Sequence, residues 1–213
     1  MVVVLTVDQR DSRLHADEVP QLLDRLADAP GLVRPFQRTV GDEVQAVLAD
    51  AEATLSALGT LLRAGGWSVG VGVGPVEEPL PPDTRAGRGA AYLHARDAVT
   101  RAKSVPHRIA VGGEDYRAEQ LETVLWLWAG ILERRTDRGW EVVDALDEGL
   151  SHVEAGRRLG ISQSAVSQRA QAAGLVDERR ARRLAGDLLS DLLAGPAGTP
   201  GSTPQRTEKE DRR

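Results

Sequence analysis

Residues Trp67–Val73 alternate without a break. Trp67, Val69, Val71 and Val73 fall on one side of an extended chain, and Gly70, Gly72 and Gly74 on the other. A period of two belongs to a β-strand. The valine side calls for burial. The glycine side leaves a flat strip of backbone that something can approach closely, either a packed helix or a bound molecule.

The segments around this strand also alternate in type. Val2–Val7 is a β-branched run that reads as a buried strand. Asp17–Ala27 places Val19, Leu22, Leu23 and Leu26 at helical spacing. Leu32–Thr39 and Glu43–Leu48 flank Val40-Gly41-Asp42 and read as a hairpin. Asp50–Ala64 and Gly89–Lys103 are helical, and 75–86 (PVEEPLPPDTRA) is a proline-rich loop. His107–Val111 reads as a strand and Tyr116–Arg135 as a long helix. This order predicts an α+β fold with an antiparallel or mixed, ferredoxin-like sheet carrying helices on one face.

No strand signal follows Trp140. Trp140–Glu148, Ser151–Leu159, Gln163–Ala173 and Asp177–Leu193 read as helices, punctuated by Gly149, Gly160 and Gly174. The expected organisation is an α+β domain over 1–115, a connecting helix over 116–138, and an all-α domain over 139–194. Residues 195–213 (GPAGTPGSTPQRTEKEDRR) form a tail with almost nothing to bury, which predicts disorder.

Within the all-α part, SHVEAGRRLGISQSAVSQRAQAAG (Ser151–Gly174) is the most specific motif. Ser151 with Glu154 three residues on is a capping box. Gly160 suits the left-handed turn between two short helices. Leu159, Ile161 and Val166 supply apolar contacts, and Gly156 sits where the backbones cross. This stretch resembles the helix-turn-helix of bacterial regulators and sigma-factor-type modules. By that resemblance Gln163–Ala173 is the recognition helix, with Ser162, Gln163, Ser164, Ser167, Gln168 and Gln171 facing a major groove. Gln and Ser suit base edges. Arg157, Arg158 and Arg169 would lie near phosphates. The competing reading is a helical hairpin that packs only against protein.

Charge agrees with a local rather than a general role in nucleic-acid binding. The 213-residue chain carries 27 Lys+Arg and 32 Asp+Glu, a net −5. Residues 149–186 hold seven arginines and three acids, whereas 1–136 are net negative. Zero cysteines exclude disulfides, thiolate metal sites and cysteine catalysis. His15, His94, His107 and His152 have no metal-ligand spacing. No run approaches the length of a membrane span, and Met1–Val7 is too short for a signal-peptide core, so the expectation is a cytoplasmic protein.

A second constellation lies in the first half. Asp8 ends the first strand and Asp42 sits in the hairpin turn, so a central first strand would bring the two carboxylates together. Adjacent carboxylates suit Mg²⁺, and the alternative is simple turn chemistry. The pattern Asp8-x-x-x-Ser12-Arg13, Gly41-Asp42-Glu43-x-Gln45, Gly70-x-Gly72 and Gly89 to Ala95-Arg96 resembles the SatD family over residues 1–112. More distantly it resembles the class III nucleotide cyclase domain. That resemblance implies Asp8 and Asp42 as metal ligands, Arg96 as the transition-state arginine, and Mg²⁺ with a purine nucleotide as ligands. Tyr92 stands where the cyclases carry an asparagine, and 9–13 (QRDSR) lack their Gly-Phe-Thr-like stretch, so the implied domain is degenerate in chemistry.

The combined expectation is a homodimeric transcriptional regulator that binds double-stranded DNA, with a cyclase-like domain for pairing and nucleotide sensing. The alternative is an Mg²⁺-dependent nucleotide cyclase or nucleotidyl transferase with a regulatory helical domain. Two features suggest pairing. Trp126 and Trp128 point about 200° apart on a helix, so one should enter the first domain and the other the helical part or a second copy. The Leu184–Leu193 stripe should cover either a dimer surface or the small C-terminal core.

Overall fold

The computed structural model describes residues 1–195. The expected tail therefore lies, from residue 196 on, outside the described residues. The chain is α+β. Its strands are Val2–Gln9 (β1), Leu32–Arg38 (β2), Glu43–Leu48 (β3), Trp67–Gly74 (β4) and Ile109–Gly112 (β5). Among the described residues there are eight α-helices. The first four are Val19–Leu26 (α1), Ala51–Ala64 (α2), Ala90–Ala102 (α3) and Arg117–Glu133 (α4). They are followed by Asp137–Asp147 (α5), His152–Leu159 (α6), Gln163–Ala172 (α7) and Leu175–Ala194 (α8). No helix among the described residues is long and apolar enough to cross a membrane.

One mixed sheet runs in the order β2-β3-β1-β4-β5. The pairs β1/β3, β1/β4 and β2/β3 are antiparallel, and β4/β5 is parallel. Central β1 is buried on both faces, with Val3, Val4, Leu5 and Val7 fully covered. The register sorts those faces. Val3, Leu5 and Val7 stand opposite Val73, Val71 and Val69, whereas Val4 and Thr6 stand opposite Gly72 and Gly70. The valine face meets α1, α2, α4 and the second half of α8 in the main core. The glycine face meets α3 through Ala91, Ala95, Ala98 and Ala102.

Helices therefore cover both faces, not one as expected, and the glycines are the physical reason. A Cβ at Gly70 would lie 2.8 Å from the Cα of Val99, and one at Gly72 2.8 Å from the Cα of Ala95. Only a bare strand lets the alanine side of a helix come this close. Of the two uses open to the glycine strip, the packed helix occupies it.

The hairpin turns at Gly41, whose φ of 64° lies in the left-handed region, and Thr39 N–H donates to the Glu43 carbonyl at 2.8 Å. The proline-rich loop folds back over β2, where the Arg34 guanidinium donates to the Pro81 and Leu80 carbonyls at 2.7 and 2.6 Å. The expected strand from His107 starts later. Pro106–Arg108 form a 3₁₀ turn with His107 and Arg108 at positive φ, and extended pairing begins at Ile109.

The two tryptophans separate as their helical angle requires. Trp128 is fully buried, with its ring 3.7 Å from the Cβ position of Gly59 in α2 and its N–H toward Glu178 in α8. Trp126 is half-buried and donates to the Ile109 carbonyl at 2.7 Å. Neither is left over for a second copy. The leucine stripe also finds a partner within the chain, but on neither expected surface. Leu189 and Leu192 complete the main core under α2 and α4, Leu188 and Leu193 pack beside them, and Leu184 stays exposed. The long α8 thus begins in the small helical cluster, through Leu175, and ends on the sheet layer.

Candidate nucleic-acid interface

The helices α5, α6 and α7 and the start of α8 close around Val142, Val143, Ala155, Val166, Ala170 and Leu175. Local chemistry fixes each boundary. The Ser151 hydroxyl accepts from Glu154 N–H, and the Glu154 carboxylate accepts from Ser151 N–H at 2.8 Å, which completes the capping box at α6. The Ser151 hydroxyl, which donates to the Glu154 carboxylate at 2.7 Å, and then the Ser151 N–H hold that carboxyl below the usual carboxylate range. Gly160 ends α6 in the left-handed region (φ 67°, ψ 30°). The Ile161 N–H then returns to the Gly156 carbonyl at 2.9 Å. A side chain at Gly156 would have its Cβ 2.7 Å from the Ile161 carbonyl oxygen, so the turn can close this tightly only over glycine. Ser162 caps α7 by accepting from Ala165 N–H at 3.2 Å.

With Val166 and Ala170 buried, α7 shows its other side to solvent. Ser162, Gln163, Ser164, Ser167, Gln168 and Gln171 are all exposed and Arg169 is half-buried. Within that set the hydroxyls are already engaged. Ser162 and Ser164 share a hydrogen bond of 2.9 Å, and Ser167 donates back to the Gln163 carbonyl at 3.2 Å. The C-terminal end of α7 is fastened to the rest of the molecule. The Arg135 side chain is fully buried, its Nε donates to the Ala173 carbonyl at 3.0 Å, and its other end pairs with Glu178. Its guanidinium also stacks 4.3 Å from the centre of the Trp140 ring, against which Arg63 of α2 stacks at the same distance. Arg63 in turn makes a bidentate pair with Asp144 of α5 (2.6 and 2.7 Å). The residues from Arg63 to Glu178 thus tie the helical cluster to the sheet layer, and the start of α7 is left outward.

The arginines divide into paired and unpaired. Arg157 is exposed and, like Arg169, Arg180 and Arg183, has no carboxylate partner among the described residues. Arg158 pairs with Glu148, which holds that carboxyl below its usual range, while Arg179 pairs with Asp147 and Arg182 with Glu52. These are exposed pairs of small energetic worth, which a phosphate can displace.

In the first half of the chain, Asp8 and Asp42 line one open pocket. Arg10, Asp11, Ser12, Arg13, Lys103 and Arg108 are among its other lining residues, and its volume is about 560 Å³. Arg96 is not part of it and lies exposed on α3. The Lys103 ammonium sits 2.9 Å from the Asp8 carboxylate. It supplies the counter-charge that a metal would otherwise provide. No cluster of three metal-ligating side chains exists among the described residues. With the Lys103 ammonium on Asp8, the pair as folded does not fit Mg²⁺. Sequence reasoning passed over Lys103, although it is the only lysine before residue 209. Arg135 left no local signal either, because its partners Ala173 and Glu178 are distant in sequence.

Comparison with protein-family models, with curated proteins and with solved structures finds no match to this chain.

Proposed function

We propose that the protein is a transcriptional regulator that binds double-stranded DNA, with α6–turn–α7 as a helix-turn-helix and α7 as the helix entering the major groove. One observation carries the reading. A capped ten-residue helix, buried along one side and anchored at its far end, turns an uncharged hydrogen-bonding face outward, and α6 packed against it carries the exposed, unpaired Arg157. Base edges are read by such a face, and phosphates by such arginines. The order β2-β3-β1-β4 with all three contacts antiparallel supports a ferredoxin-like sheet in the first half, extended by β5. Pairing of two copies on two half-sites belongs to the same reading. Because the Trp126/Trp128 pair and most of the leucine stripe are used inside the chain, that pairing has to use other surfaces.

The test is a gel-shift series on a duplex selected from genomic fragments. Changing Gln168 and Arg169 to Ala should weaken binding to that duplex and flatten the dependence of log K on log[salt] by about one unit for each phosphate no longer neutralised. Unchanged affinity and slope reject the assignment of α7. The mass of the protein–DNA complex reports whether two copies bind together.

A further inference from the structure

The exposed face of α7 is selective in what it offers. At 100° per residue, Gln163, Ser164, Ser167, Gln168 and Gln171 lie within an arc of about 140°, with Ala172 just beyond Gln168. Buried Val166 and Ala170 lie beyond its Gln163 edge, about 60° and 20° from that residue. The arc holds no Arg, Lys, Asp or Glu, and half-buried Arg169 lies about 100° from Gln168 and about 120° from Gln163, on the side away from this face. Since the serine hydroxyls are tied to each other and to the backbone, the side-chain amides of Gln163, Gln168 and Gln171 are what the face has to give. None of these three amides makes a hydrogen bond among the described residues.

We infer that α7 reads adenine, so that the duplex recognised is A·T at the base pairs this helix contacts. The inference rests on the DNA-binding reading above and adds the identity of the bases. An amide presents one donor and one acceptor side by side, which matches adenine N6–H and N7 in the major groove. Guanine presents two acceptors there, O6 and N7, and is matched by Arg or Lys, which this face lacks. Cytosine presents a donor that an acid would accept, and acids are absent too. The exposed methyl of Ala172, one turn from Gln168, suits the thymine C5-methyl. Arginines outside this face supply affinity without altering this preference, because phosphates carry no base identity.

The test uses the full chain and a randomised duplex library. Adenine should be enriched at two or three positions of the selected half-site. Replacing adenine there by 7-deaza-adenine removes the N7 acceptor, one of the two bonds, and should weaken binding by about 2- to 13-fold per position. Gln168→Ala should relax the preference at one position alone, and Gln168→Arg should shift that position towards guanine. Both changes are on an exposed helix face and leave the fold intact, which circular dichroism checks. Salt-sensitive binding whose selected contacts are G·C, or which shows no base preference, overturns the adenine inference and leaves DNA binding standing. Absence of binding to any duplex overturns both.

Discussion

The close seating of α3 on β4 predicts that Gly72→Ala destabilises the protein, although by intrinsic propensity alanine is the better residue in a strand by about 0.5–1 kcal/mol. The added Cβ would lie 2.8 Å from the Cα of Ala95 and closer still to the Ala91 carbonyl and the Ala95 amide. Ordinary carbon–carbon contact is about 3.5–4.0 Å, so α3 must retreat by about 1 Å. None of these obstructing atoms belongs to a side chain that can swing aside. A retreat of that size forfeits about a quarter to a half of the dispersion between α3 and the sheet, along a face where Ala91, Ala95, Ala98 and Ala102 are all fully buried. Overpacking of this kind costs about 1–3 kcal/mol, and a rigid backbone obstacle puts Gly72→Ala at the upper end. In urea denaturation, with a slope of about 2–3 kcal/mol/M, the midpoint should fall by about 1 M. Gly59→Ala is the matched control. It lies mid-helix in α2, its Cβ would meet the Trp128 ring at 3.7 Å, and it should stabilise by about 0.4–1 kcal/mol. A Gly72→Ala midpoint equal to or above that of the parent protein refutes the close-packing argument.

Other consequences follow from the helical half and the α4 terminus. Arg135→Met leaves the Glu178 carboxylate and the Ala173 carbonyl without their partner and should cost about 3–5 kcal/mol in thermal or urea unfolding. Adding Glu178→Leu should recover much of it, and a single change costing under about 1 kcal/mol would show that the latch is unimportant. Ser151→Ala removes one half of the capping box and should lower stability by about 1 kcal/mol, with faster amide exchange at Glu154. The Arg117 guanidinium, hydrogen-bonded to Asp115, holds that carboxyl at about 2, below its ordinary 3.8. A depressed carboxylate stabilises the fold above about pH 4 and loses that contribution as pH falls towards 2. NMR titration should therefore find the Asp115 midpoint raised towards 3.8 in Arg117→Ala, where the Arg117 backbone N–H still donates to the carboxylate, and an unmoved midpoint assigns the depression elsewhere.

The alternation at Trp67–Val73 shows how far a single sequence reaches. It specified a strand, identified which face is apolar, and marked the other as a place of close approach. Whether a helix or a ligand comes close was decided by β4–α3–β5, a crossover that lays the alanine side of α3 on the glycines. The capping box, the left-handed turn at Gly160 and the Gly156 crossing were equally legible, because each involves residues close together in the chain. Asp8 and Asp42 reach one pocket because β1 pairs with β3 so that Asp8 stands opposite Glu43, a long-range register that the β2–β3 turn does not set. Lys103 reaches Asp8 from 95 positions away, at the end of a helix whose face no local pattern specifies. The leucine stripe gives a similar lesson, since its apolar period predicts burial but carries no address.

Local periodicity and capping chemistry determined which segments are strands and helices, and which side of each is apolar. They did so because those preferences act between residues within a few positions of one another. The tertiary structure alone decided which apolar sides meet: α8 returning to the sheet layer, Arg135 gripping the end of α7, and Lys103 neutralising Asp8. Such pairings depend on three-dimensional complementarity between distant segments, and burial has no preference among apolar faces until the whole chain has closed.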